Sequence, residues 1–179
     1  MVEDPRWPRA SSLISHEISD IGIIDIPAYK TAISKTGADK TPKAIREALK
    51  GYSTFSYTTQ GDLRQLSIED LGVIENPDDN EEKTIQRLRG LHKKLVIALG
   101  GDNSITYAAA LGLVGKDLST ARLITLDAHH DLRDGVSNGS PIPDLLMLVS
   151  IQLTSISWAS TTFPILPSMR SMPNQLESM

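Results

Sequence analysis

The sequence predicts an α/β fold in which a parallel sheet is covered by helices on both faces. Three observations lead there. Short apolar runs recur along the first 141 residues, segments with helical patterning alternate with them, and each run is continuously apolar rather than alternating. Strands buried on both faces read this way, and the alternation of strand and helix makes parallel neighbours.

The elements follow in order. Asp20 to Pro27 is an apolar run closed by proline and reads as a buried strand. Thr41 to Gly51 reads as a helix with Thr41 as N-cap, Pro42 in the first helical position and Gly51 after the last turn. Leu71 to Ile74 is expected to form a short strand. Asp79 to Lys94 is expected to be a helix, with Glu81 and Glu82 early and His92, Lys93 and Lys94 late, a charge order that suits the helix dipole. Ile85, Leu88 and Leu91 give it one buried stripe. Leu95 to Leu99 is an apolar pentamer followed by Gly100-Gly101. Ser104 to Val114 reads as a helix, and Leu123 to Leu126 as another buried strand.

Composition narrows the function. The chain has 179 residues, 40% of them hydrophobic and 22% charged, with 18 Lys and Arg against 22 Asp and Glu for a net charge of −4. That size suits about one domain. Weak acidity argues against a nucleic-acid partner, and no stretch is long and apolar enough to predict a membrane-spanning helix. The N-terminal residues lack a basic stretch leading into an apolar run, so no secretory signal is expected. With no cysteine, disulfides and thiolate chemistry are excluded. A cytoplasmic protein is the expectation.

The composition changes after Pro141. Residues 142–179 hold three charged residues, Asp144, Arg170 and Glu177, whereas the first 141 hold the other 37. Four of the five methionines also fall there. Two portions of the chain are therefore expected: 1–141 as a folded α/β portion and 142–179 as an atypical tail, either an unusual extension or sequence read out of the native frame. Leu145 to Leu153 suits a helix or a short strand. Trp7 is expected to anchor the N-terminal segment, Tyr52, Phe55 and Tyr57 to pack under a loop, His16 and His92 to lie on the surface, and the acidic run Asp78 to Glu82 to be a solvated helix start.

In parallel α/β sheets, ligands bind beyond the carboxyl ends of strands. Two such ends carry polar clusters here. Asp127-Ala128-His129-His130-Asp131 follows the Leu123 strand. In an extended segment alternate side chains share a face, so Asp127, His129 and Asp131 are expected to converge. Carboxylate oxygens with an imidazole suit Mn²⁺, Fe²⁺ or Zn²⁺, and the carboxylates would repel one another without a cation. The other cluster, Gly100-Gly101-Asp102-Asn103-Ser104, leaves a phosphate cradle open as an alternative, although it lacks the residues of a Walker loop or a dinucleotide fingerprint.

These two clusters resemble signatures of the ureohydrolase family, which comprises arginase, agmatinase, formimidoylglutamase and relatives. Thr41-Pro42-Lys43-Ala44-Ile45-Arg46 is similar to an early helix start of that family, and the opening Asp4 to Ala10 is similar to some bacterial members near formimidoylglutamase. The resemblance covers roughly residues 4–141. It implies a three-layer α/β/α arginase-like fold, of which this chain carries the N-terminal portion. It also implies a binuclear Mn²⁺ centre that activates water for hydrolysis of a linear amidine C–N bond. Two divalent ions about 3.5–4 Å apart lower the pKa of a shared water towards about 7. By the same resemblance Asp127 is a bridging ligand, His129 and Asp131 each ligate one metal, and Asn138 contacts substrate.

Two departures stand out. Asn103 takes the place of a histidine ligand and is expected to bind a transition metal more weakly. The Asp-x-Asp pair that supplies the family's remaining ligands is missing: after Asp131 the acids are Asp134, Asp144 and Glu177, none so spaced. A truncated, inactive hydrolase is therefore the first expectation, with a small amidine or guanidino substrate and a homo-oligomeric state. A non-catalytic partner subunit that retains half the fold is the second, and a nucleotide-binding domain using Gly100-Gly101 is the third.

Overall fold

The computed structural model describes residues 6–127, Leu145 and residues 152–155. In chain order the strands are β1 (Ile14–Ser15), β2 (Ile21–Ile26), β3 (Phe55–Ser56), β4 (Gly61–Asp62), β5 (Ile68–Val73), β6 (Leu95–Gly100), β7 (Arg122–Thr125) and β8 (Gln152–Ser155). The α-helices are α1 (Thr41–Leu49), α2 (Glu81–Arg89) and α3 (Ile105–Leu113).

Strands β1, β5, β2 and β6 form one sheet in that order, with every pair parallel. The continuous apolar run of the sequence is its centre: Ile23, Ile24 and Ile26 of β2 are buried. The chain passes from β2 through α1 to β5 on one side, then through α2 to β6 on the other. Right-handed crossovers in opposite directions set α1 and α2 on opposite faces. Ile24, Ile26, Ile74 and Leu88 form the core beneath α2, and Ile105 and Ala109 of α3 pack against it. A parallel sheet with helices on both faces is the predicted architecture.

The opposite face is held differently. Arg46 of α1 reaches the sheet and donates from Nε to both carboxylate oxygens of Asp25 at 2.9 Å. Its two terminal nitrogens donate to Asp70 at 3.1 and 3.0 Å. Asp25 lies on β2 and Asp70 on β5, so one guanidinium joins a helix to two neighbouring strands. Burial opposes the Arg46 charge, but the hydrogen bonds and attraction of the two carboxylates outweigh it and raise its pKa. Asp25 is buried, so its desolvation is tolerable only because this partner is present.

Several boundaries differ from the sequence reading. Thr41 is not an N-cap: a 3-10 turn at Ala38–Lys40 runs straight into α1, and Thr41 already has helical angles. Strand β5 begins at Ile68, because Glu69 and Asp70 are accommodated in it by Lys93 and Arg46. Helix α2 ends at Arg89, leaving His92, Lys93 and Lys94 beyond it, and its cap is Asn80, whose side chain accepts from the Lys83 amide at 2.9 Å.

Three packing expectations are overturned. Trp7 is 64% exposed, and the N-terminal segment is held by backbone bonds instead, Ala10 N–H to Tyr52 O among them. Tyr52, Phe55 and Tyr57 are exposed rather than tucked under a loop, and among the described residues the β3–β4 hairpin that contains Phe55 joins no larger sheet. Strand β7 is not buried on both sides: Ile124 is 63% exposed, and Leu126 just beyond the strand is 75% exposed. β7 pairs in parallel with β8, apart from the main sheet. His16 and His92 are exposed, as expected.

Replacing Arg46 with Met should strand two carboxylates and cost about 3 kcal/mol or more, read as a lowered denaturant midpoint. A second expectation concerns Glu69, whose carboxylate accepts from Lys93 and from the Ser19 amide, contacts that lower its pKa. A depressed folded pKa gives stability that is present above the unfolded value of about 4.3 and lost as pH falls through the folded value. Urea midpoints should therefore fall less steeply below about pH 4.3 in Glu69→Gln than in the parent.

Candidate functional site

Strands β2 and β6 are neighbours, yet the chain leaves their carboxyl ends in opposite directions. That divergence opens a crevice, the usual place for a ligand in an open α/β sheet. A cavity of about 230 Å³ lies there, lined by Ala28, Thr31, Asp78, Glu81 and Ser104 among others.

The loops around it are closely fitted. Gly101 has no room for a side chain: a Cβ there would lie 1.9 Å from the Ala28 carbonyl oxygen. The glycine thus lets the loop after β6 lie against the loop after β2. The Gly101 N–H donates to Ile26 O at 3.1 Å, and the Asp102 N–H to Ala28 O at 2.9 Å. Both amides are committed to the neighbouring loop, which removes the support for a phosphate cradle. Asp78, read from sequence as part of a solvated run, accepts from the Tyr29 and Lys30 amides at 3.1 and 3.2 Å and ties the α2 approach to the same loop. Lys30 pairs with Asp79, whose hydrogen bond raises the lysine pKa.

Asp102 is the residue to which sequence reasoning gave no role. It is buried. One carboxylate oxygen accepts from Thr31 Oγ1 at 3.0 Å, and the other from the Ser104 amide and hydroxyl at 3.1 and 2.5 Å. The bond to the amide two residues on is an Asx turn, a pattern that an Asp between glycines and a helix start makes legible. Asp102 therefore fixes the backbone on either side of Asn103.

Asn103 is half-buried just before α3. Its Oδ1 accepts from Thr106 Oγ1 at 2.6 Å and its carbonyl from the Thr106 amide at 3.0 Å. Asp127 is exposed and lies two residues beyond the end of β7. Thus both described candidates sit past the carboxyl ends of strands, and both offer oxygen donors that suit a divalent cation. His129, Asp131 and Asn138 lie outside the described residues. Among the described residues no three His, Asp or Glu gather into a metal-binding group. No helix there is long and apolar enough to cross a membrane.

A parallel α/β sheet with its polar loops gathered at strand carboxyl ends defines the class of α/β proteins that bind small ligands at that rim. The arginase family profile matches residues 19–150, and the chain belongs to the arginase family. The formimidoylglutamase of Halalkalibacterium halodurans is 35% identical over 147 residues, covering 72% of this chain and 44% of that protein. The crystal structure of formimidoylglutamase from Bacillus subtilis is similar with a TM-score of 0.75 at 25% identity, over 92% of this chain and 57% of that one. The crystal structure of Trypanosoma cruzi formiminoglutamase with Mn²⁺ is similar with a TM-score of 0.67 at 25% identity, over 78% and 52%. The chain therefore spans less than half the length of the curated relative and little more than half of these two solved chains.

Replacing Asp102 with Ala leaves Thr31 Oγ1 and the Ser104 amide without their acceptor. The expected loss is about 2 kcal/mol in chemical denaturation, with faster amide exchange at Ser104. Asp102→Asn keeps an acceptor oxygen and should lose less.

Proposed function

We propose that this chain serves metal-dependent hydrolysis of a linear amidine C–N bond, with formiminoglutamate as the preferred substrate class. It contributes Asp127, His129, Asp131 and Asn103 as Mn²⁺ ligands and Asn138 as a substrate contact. The observation that carries the reading is the placement of Asn103 and Asp127 directly beyond the carboxyl ends of β6 and β7 in an arginase-family chain. The formimidoylglutamase relatives support the substrate class.

When bound, a divalent metal pair would supply a water activated for attack on the amidine carbon and would stabilise the negative charge that develops in that attack. The roles of this chain are narrower. Asp127 brings a solvent-accessible carboxylate to the rim. Asn103 offers an amide oxygen held in place by Thr106 and by the flanking Asp102 turn. An amide is a weaker donor to Mn²⁺ than the imidazole the family pattern places there. After Asp131, only Asp134, Asp144 and Glu177 remain as acids. Four ligands of this kind cannot close a two-metal site, and we infer that the chain alone turns over its substrate negligibly.

Calorimetric titration of the full chain with Mn²⁺ should show weak binding that Asp127→Ala abolishes. Asn103→His should tighten it by about tenfold or more, roughly 1.4 kcal/mol. Binding indifferent to both substitutions would overturn the ligand assignment. Turnover of formiminoglutamate by this chain at the rate of an intact formimidoylglutamase would overturn the inferred inactivity.

A further inference from the structure

Two sets of contacts act on the backbone around Asn103, and they differ in range. The turn that Asp102 makes with the Ser104 amide and hydroxyl, and the bond from Thr106, are local. They give residues 102–106 their shape without fixing where that turn lies on the rim. Its place comes from the loop after β2. The Gly101 and Asp102 amides donate to Ile26 and Ala28, and a side chain joins the two loops: Thr31 donates from Oγ1 to Asp102 Oδ2 at 3.0 Å, across 71 positions of sequence.

Thr31 is itself held from behind. Its turn is closed by the Ala32 N–H, which donates to Tyr29 O at 3.3 Å. The Tyr29 and Lys30 amides just before it donate to Asp78, which lies in the 3-10 turn Pro77–Asp79 that leads towards α2. Thr31 is half-buried and lines the cavity between the loops. The contacts that Asp102 receives from Thr31 and Ser104 come from neutral groups, and the residue is buried. A buried carboxylate held in this way depends on each donor. Ser104 serves Oδ1 twice, and Thr31 serves Oδ2. Loss of the Thr31 hydroxyl therefore loosens the turn from the β2 loop, together with the backbone that carries Asn103.

We propose that Thr31 is a positioning residue for position 103. Acting through Asp102, it sets where that side chain sits on the rim and so how well it ligates a divalent cation. This role rests on the reading of Asn103 as a metal ligand. Hydrogen bonds that support a ligand from behind are typically worth about 10–100-fold in metal affinity. Because Thr31 acts on the backbone, its effect is the same whether residue 103 is Asn or His. Thr106 differs, since its hydroxyl bonds Asn103 Oδ1 directly.

The test is calorimetric titration with Mn²⁺ of the full chain and of Asn103→His, each with Thr31→Val, which removes the hydroxyl, and with Thr31→Ser, which keeps it. Thr31→Val should weaken binding about tenfold in both backgrounds, and Thr31→Ser should restore most of the loss. Without metal, exchange of the Ser104 amide should quicken in Thr31→Val, which reads the turn independently of binding. Asp102→Asn should weaken binding as well, and adding Thr31→Val to it should cost less than about twofold more, since the hydroxyl acts through that carboxylate. Lys93→Met breaks an ion pair with Glu69 at the other end of the sheet. It should lower stability and leave Mn²⁺ affinity unchanged, which separates a displaced ligand from a weakened fold. If Thr31→Val does not fold, Asp102→Asn carries the comparison, and unchanged affinity in it overturns the proposal. Equal affinity in the parent and Thr31→Val, with both binding Mn²⁺, overturns the proposal and leaves the ligand assignment standing. Equal weakening by Thr31→Ser and Thr31→Val also overturns it, since the hydroxyl is then not the agent. Absence of binding in both the parent and Asn103→His overturns the ligand assignment and this role with it.

Discussion

A single guanidinium decides how the carboxyl rim of the sheet is arranged. Arg46 meets Asp25 on β2 and Asp70 on β5 at once, so α1 cannot shift along the sheet without unpairing a buried carboxylate. Interactions of this kind are weak evidence for added stability, because desolvation offsets much of the Coulomb gain. They are strong constraints on geometry, because the planar fork tolerates few arrangements. Asp25 pairs in register with Leu99 of β6, and Ile26 with Gly100. The clamp is thus one residue from the place where β6 gives way to the Gly101–Ser104 loop.

From that point the loop is set by packing and hydrogen bonds rather than by its own propensity. Ala28 fills the space a side chain at Gly101 would need. Asp102 then ties Thr31 to Ser104, and Asn103 is held between the Asx turn and α3. The glycine pair is consequently a packing device that lets two loops touch. A glycine-rich turn after a strand has the same appearance in sequence whether it receives a phosphate or a neighbouring backbone. Only the partner of its amides tells them apart.

The parts legible in sequence are those fixed by local pattern. The run from Ile21 to Ile26, the pentamer at Leu95 and the stripe of Ile85 and Leu88 announced strands and a helix, because burial leaves an unbroken apolar run in a two-sided strand and a spacing of three or four in a helix. The charged start of β5 was hidden for the opposite reason. Glu69 and Asp70 look like loop residues until Lys93 and Arg46, distant in sequence, neutralise them in place. Thr41 followed by Pro42 imitates a capped helix start, and the preceding 3-10 turn at Ala38–Lys40 cannot be seen in that dipeptide. At the candidate site, Asn103 and Asp127 were located by their motifs and the Asx turn of Asp102 had a local signal, whereas its bond to Thr31, far from it in the chain, left no trace in the sequence.

The contrast between β2 and β7 carries the last step. Both are apolar runs ending at polar loops, and nothing in their composition separates them. β2 is buried because β5 and β6 flank it and helices lie over it, while among the described residues β7 pairs with β8 alone and Ile124 is exposed. Burial is a property of what lies against a strand, so it could not be read from the strand itself. The distinction reaches the proposed chemistry, since Asp127 follows β7 rather than β2. A metal ligand is useful only if its support holds it within about 0.5 Å of the productive position. Whatever packs on the open side of β7 would firm that support, and by linkage a cation on the rim would favour the same packing.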